Sequence, residues 1–125
     1  MAKLANVIQT LAAYTKPAVK TAKLSVFTKN VGDHLKLILR KQPKVKLDIQ
    51  QIYDTASPPR GWDESAVIKG ELATTHGPVP FFLQLNAVPG TLSGYALIDG
   101  VTTPIRGSSI PVAMSRLADE LSEHV

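Results

Sequence analysis

The spacing of apolar residues changes twice along the chain. From Leu4 to Leu39 they recur three and four apart, from Val45 to Ile105 they largely alternate, and after Ser109 the wider spacing returns. Residues three or four apart share a helix face and alternate residues share a strand face, so the pattern predicts helices, then strands, then a helix.

In "KLANVIQTLAAYT", Leu4, Val7, Ile8, Leu11 and Tyr14 form one helical stripe. Pro17 favours a break near Thr15–Lys16 and the first turn of a second helix running to about residue 30, with Val19, Ala22, Val26 and Phe27 on its apolar side. "NVGD" predicts an interruption: Gly32 ends that helix and Asp33 caps a third, "DHLKLILRK", which Pro43 stops. Leu35, Leu37, Ile38 and Leu39 leave this third piece apolar around much of its circumference, so it should pack against something.

Val45, Leu47 and Ile49 then alternate with Lys46, Asp48 and Gln50, as in a half-buried strand. "TASPPRGW" reads as a loop. The runs "SAVIKGELAT", "PFFLQLNA", "TLSGYALI" and "VTTPIRG" follow, separated by "THGP", "VPG" and "DG". Asp99–Gly100 suits a two-residue hairpin turn, and Pro104 places the last run at a sheet edge. The closing segment starts at Ser108 or Ser109 with Pro111 in its first turn, and aligns Ile110, Met114, Leu117, Ala118, Leu121 and Val125. Arg116 and Glu120 are spaced to pair across one turn. The predicted fold is α+β: N-terminal helices, an antiparallel meander of about five strands, and a C-terminal amphipathic helix packed on the sheet. The expected division is a basic helical section at 1–43 and the meander with its closing helix at 44–125.

Composition narrows the chemistry. With 125 residues, 44% hydrophobic and 19% charged, the chain has the size and content of one globular domain. The absence of cysteine excludes disulfides, thiolate metal sites, iron–sulfur clusters and a cysteine nucleophile, and fits a reducing intracellular compartment. The longest apolar runs, such as "YALI", reach four residues, so no membrane-spanning helix is expected, and "MAKLANVIQT" lacks the continuous core of a secretory signal. The acid-poor, lysine-bearing start is compatible with a mitochondrial transit segment, although such segments favour arginine.

Candidate catalytic groups do not assemble. His34, His76 and His124 have no second histidine or carboxylate at metal-ligand spacing. His34 reads as a helix-start residue. Gly90 and Gly94 in "VPGTLSG" lack the Gly-Lys-Ser/Thr ending of a phosphate loop and read as turn and strand glycines. The pairs Asp63–Glu64 and Asp119–Glu120 are adjacent and so point apart. No catalytic residue, metal ligand or cofactor is expected.

Charge is the stronger signal. Residues 1–46 hold ten Lys or Arg and one acid, a net +9, whereas residues 47–125 hold four basic and nine acidic residues, a net −5. A basic segment of this density attracts polyanions. The run "RKQPKVK" reads first as a solvated connector whose charges keep a neighbouring edge strand from pairing. The basic half as a whole predicts docking onto a larger assembly, with Leu4, Val7, Ile8, Leu11, Lys16, Lys20, Lys23, Lys29, Arg40, Lys41, Lys44 and Lys46 as the contact residues. An anionic membrane surface is a compatible target for lysine-bearing amphipathic helices. Nucleic acid is an alternative through backbone contacts only, since nine lysines and one arginine favour phosphate over base edges. Self-association of basic front with acidic back is a further reading. So is a carrier of an apolar ligand, lined by Phe81, Leu83, Leu85, Leu92 and Ile98. Trp62 reads as a loop residue folded over the core, with an exposed anchor as the alternative.

Overall fold

The computed structural model describes residues 24–125. The stripe from Leu4 to Tyr14, the break at Pro17 and the candidate contacts Lys16, Lys20 and Lys23 lie outside the described residues. The elements are α1 (Val26–Leu39), β1 (Leu47–Asp54), β2 (Glu64–Thr74), β3 (Gly77–Val88), β4 (Thr91–Ile98), β5 (Val101–Gly107) and α2 (Ile110–Ser122). The five strands lie side by side in chain order, each antiparallel to its neighbour. The predicted α+β meander is the observed architecture.

One sheet face is the floor of the core. The cross-strand row Ile52, Ile68, Leu83 and Ala96 is buried, flanked by Leu72, Phe81, Leu85, Ile98 and Ile105. Helix α1 packs over β1 and β2, α2 over β4 and β5, and the helices touch each other. Phe27, Val31 and Leu35 of α1 thereby enter the same apolar cluster as Met114, Leu117 and Leu121 of α2. Each such side chain contributes about 1.5–3 kcal/mol by leaving water.

The expected break at "NVGD" does not occur. Helix α1 continues through Gly32 and Asp33, and His34 is a half-buried residue of its interior rather than its start. Gly32 is buried, and a β-carbon there would lie 3.1 Å from Ile52 Cδ1. This glycine serves the approach of helix to sheet; its poor helix propensity, a cost of about 1 kcal/mol, is outweighed by packing. The helix starts at its Ser25 cap, whose hydroxyl accepts from Thr28 N–H at 3.1 Å.

The expected turns are present. Asp99 (φ 52°) and Gly100 (φ 80°) are both left-handed, as a two-residue hairpin of this chemistry requires, and Pro104 sits on edge strand β5. In β1 the alternation slips: the register shifts between Ile49 and Gln51, so Gln50 is an inserted residue and Ile52 rather than Gln51 faces the core. Helix α2 follows the predicted stripe, with Ser109 as cap. Arg116 Nη1 donates to the Arg106 carbonyl at 2.9 Å, tying α2 to β5, a contact that the spacing of Arg116 and Glu120 did not suggest.

Candidate docking surface

The described members of the basic section are presented by α1 and by the connection into β1. Lys29, Lys36 and Arg40 are exposed and lie at intervals of seven and four, one stripe on the outer side of α1. Asp33 shares this stripe and is the only acid between residues 24 and 46. Beside them, Val26 is 76% exposed and Leu37 47% exposed. Lys29 and Arg40 stand eleven residues apart, which is about 16 Å along the axis. Those predicted contacts that lie among the described residues are spread along α1 and around its C-terminal end rather than gathered at a single spot.

The run 40–46 is held at its centre. Val45 is buried, and its N–H donates to the Gln42 carbonyl at 2.9 Å. Ala73 N–H donates to the Lys46 carbonyl at 3.0 Å, extending the β1–β2 ladder by one bond. With Val45 turned inward, its neighbours Lys44 and Lys46 turn outward, and Arg40 and Lys41 are exposed at the helix end. The lysines are thus mounted on ordered backbone beside an edge strand, where charge also discourages edge-to-edge pairing. Between α1 and β1 lies a hollow of about 390 Å³ with Leu39, Leu47 and Ile49 in its walls and Lys36 and Arg40 at its side.

At its other end α1 is clasped to the sheet. The Asp54 carboxylate accepts from Ser25 N–H at 2.9 Å, from Ser25 Oγ at 2.9 Å and from the fully buried Thr28 hydroxyl. Burial works against ionisation of Asp54, but the hydrogen bonds from Thr28 and Ser25 outweigh it and hold the carboxyl below its ordinary value. A carboxyl depressed in the folded state stabilises the fold above the unfolded carboxylate pKa, about 3.9. That contribution disappears as pH falls through the lower folded value. Asp54→Asn should therefore cost about 1–2 kcal/mol at neutral pH, and the gap to the native chain should shrink toward pH of about 3. Urea unfolding of both proteins across this range checks it.

The opposite sheet face holds a group that the alternation of residues did not single out. The Phe82 and Tyr95 rings lie 5.8 Å apart, and Lys69 Nζ stands 5.6 Å from the Tyr53 ring centre and 5.9 Å from that of Phe82. Beside them Ser65 Oγ donates to Asn86 Oδ1 at 2.7 Å and accepts from Gln84 Nε2 at 3.2 Å. The readable signal was "FF" at 81–82: consecutive strand residues face opposite ways, so one ring had to leave the core.

The histidines remain apart: His34 is within α1, exposed His76 is in the β2–β3 turn, and His124 follows α2. Among the described residues no three His, Asp or Glu side chains are grouped to hold a metal ion. Phe81, Leu83, Leu85, Leu92 and Ile98 belong to the packed apolar cluster beneath the helices. Among the described residues no helix is long and apolar enough to cross a membrane. No family model, curated protein or solved structure matches the chain.

Proposed function

We propose that this protein is a non-catalytic accessory subunit that docks onto a larger assembly through its basic N-terminal section, with the α+β body as a rigid mount. The observation that carries the reading is the basic series Lys29, Lys36, Arg40, Lys41, Lys44 and Lys46, in which Asp33 is the only acid between residues 24 and 46, although Asp48 and Glu71 adjoin Lys46 at the β1–β2 end. Lys3, Lys16, Lys20 and Lys23 continue the same sign toward the N-terminus with no acid among them. Exposed Val26 and Leu37 supply apolar contact beside the charges. A partner with an acidic surface gains long-range attraction and correct orientation from such a flank. A complex at an anionic membrane, including a mitochondrial one, suits it equally in sign.

The test separates docking from folding. Removing residues 1–32 would cut away the buried Phe27 and Val31, so the informative truncation removes residues 1–23 alone. The full-length chain purified from its own source should migrate well above 13.4 kDa. It should return to monomer mass when residues 1–23 are removed and Lys36, Arg40, Lys41 and Lys44 are changed to Glu. Four reversals of about 0.5 kcal/mol or more each weaken association by about tenfold or more. Association that survives both changes refutes the docking reading. Association that is lost on nuclease treatment replaces it with backbone binding to nucleic acid, which is also steeply salt-dependent.

A further inference from the structure

The net charge of −5 over residues 47–125 conceals a cationic hollow. Two of the four basic residues in that stretch, Arg106 and Arg116, line one cavity of about 580 Å³ together with the chain's only tryptophan, Trp62. No carboxylate is among the described residues that line it. We infer that this hollow is a binding site for an aromatic anion, a planar ring carrying one phosphate or carboxylate. The inference is independent of the docking flank on α1.

Each part of the site is placed by the fold. The backbone N–H of Trp62 donates to the Pro59 carbonyl at 3.0 Å, and that of the next residue, Asp63, donates to the Ala87 carbonyl at 3.0 Å. The tryptophan therefore stands on a closed turn fastened to β3. It is half-buried and lies outside the central apolar cluster, so its ring is neither core nor free anchor. Leu92 and Val112 add an apolar wall.

The arginines supply the charge. Arg116 is oriented by its bond to the Arg106 carbonyl, which uses one of five guanidinium N–H groups and leaves the rest of a planar fork for an anion. Arg106 also lines the hollow and is exposed on edge strand β5, within reach as a second cation. Gly107 allows α2 to come this close to β5: a β-carbon there would lie 2.9 Å from Ala113 N. The hollow is largely open to solvent, so a planar ligand would lie across it rather than be enclosed. An indole offers its face to a planar ring, and a guanidinium matches two anionic oxygens at once.

The single tryptophan is its own reporter. Full-length protein is titrated with AMP and with benzoate, and in parallel with the uncharged analogues adenosine and benzyl alcohol, while Trp62 emission is followed. A saturable change with either anion at concentrations up to about 1 mM is expected, weakened about tenfold or more in Arg106→Gln and in Arg116→Gln. Response to AMP alone assigns a phosphate ligand; response to benzoate alone assigns a carboxylate. No saturable change with either anion overturns the proposal. So does an equal response to the neutral analogues, or an unaltered titration in the arginine variants. If Arg116→Gln fails to fold, Arg106→Gln carries the test, because its exposed side chain can be changed without removing the carbonyl that Arg116 contacts.

Discussion

Leu35→Ala should destabilise the protein by about 2–5 kcal/mol, while Leu37→Ala, two positions further along the same helix, should change stability by about 0.5 kcal/mol or less. Leu35 is fully buried in the cluster between α1, α2 and the sheet, and Leu37 is 47% exposed on the outer side. Truncating Leu35 removes apolar contact and leaves a cavity that surrounding residues fill only in part. Truncating Leu37 removes a side chain that already meets water. For a domain of this size the first change lowers Tm by about 10 °C or more. The pair also divides folding from docking. Leu37→Ala should leave the melting curve in place while weakening association if the α1 flank is the contact, whereas Leu35→Ala acts through the unfolded fraction. Thermal melts of both variants, followed by the mass measurement on the stable one, read the two effects separately.

Gly94→Ala should cost about 3 kcal/mol, although it adds one methyl group. Gly94 pairs with Leu85 and Ile105 in the centre of the sheet, and a β-carbon there would stand 1.9 Å from the Gln84 carbonyl oxygen. The obstructing atom is backbone, so no side-chain rotation relieves it; β3 and β4 must separate, at the upper end of the cost of overpacking. Gly70 is the counterpart on β2, where a β-carbon would lie 2.0 Å from the Asp48 carbonyl oxygen, opposite the inserted residue of β1. At both glycines the missing side chain lets a neighbouring strand's backbone pass close by. The control is Gly100→Asn. At φ 80° with nothing within 4 Å, Gly100 needs only a residue that tolerates a left-handed backbone, so that change should be mild. Chemical denaturation of the two variants side by side checks the contrast.

Much of this fold was legible because local rules and global packing agree. The alternating runs became strands and the Asp99–Gly100 turn formed where positive φ is tolerated. The stripe on α2 faces the core, because a helix or strand with one apolar face has one economical orientation. Gly32 departs from its local signal for the opposite reason. A glycine before an aspartate is a fair stop signal locally, but contact with Ile52, distant in sequence, made the glycine useful inside a helix. The slip at Gln50 was hidden similarly, since a bulge is a relation between two strands and has no single-strand signature.

The candidate sites divide along the same line. Charge along the chain is additive, so the basic flank of 29–46 could be counted before any fold was known, and burial of Val45 then decided that Lys44 and Lys46 face outward. Trp62, Arg106 and Arg116 lie on a loop, an edge strand and a helix separated by up to fifty-four residues, inside a stretch whose sum is negative. A sum over sequence carries no information about which charges become neighbours. Strand order and the seating of α2 against β5 brought these three together, and only tertiary structure could do so, because binding depends on distances in space whereas composition and periodicity are properties of position along the chain.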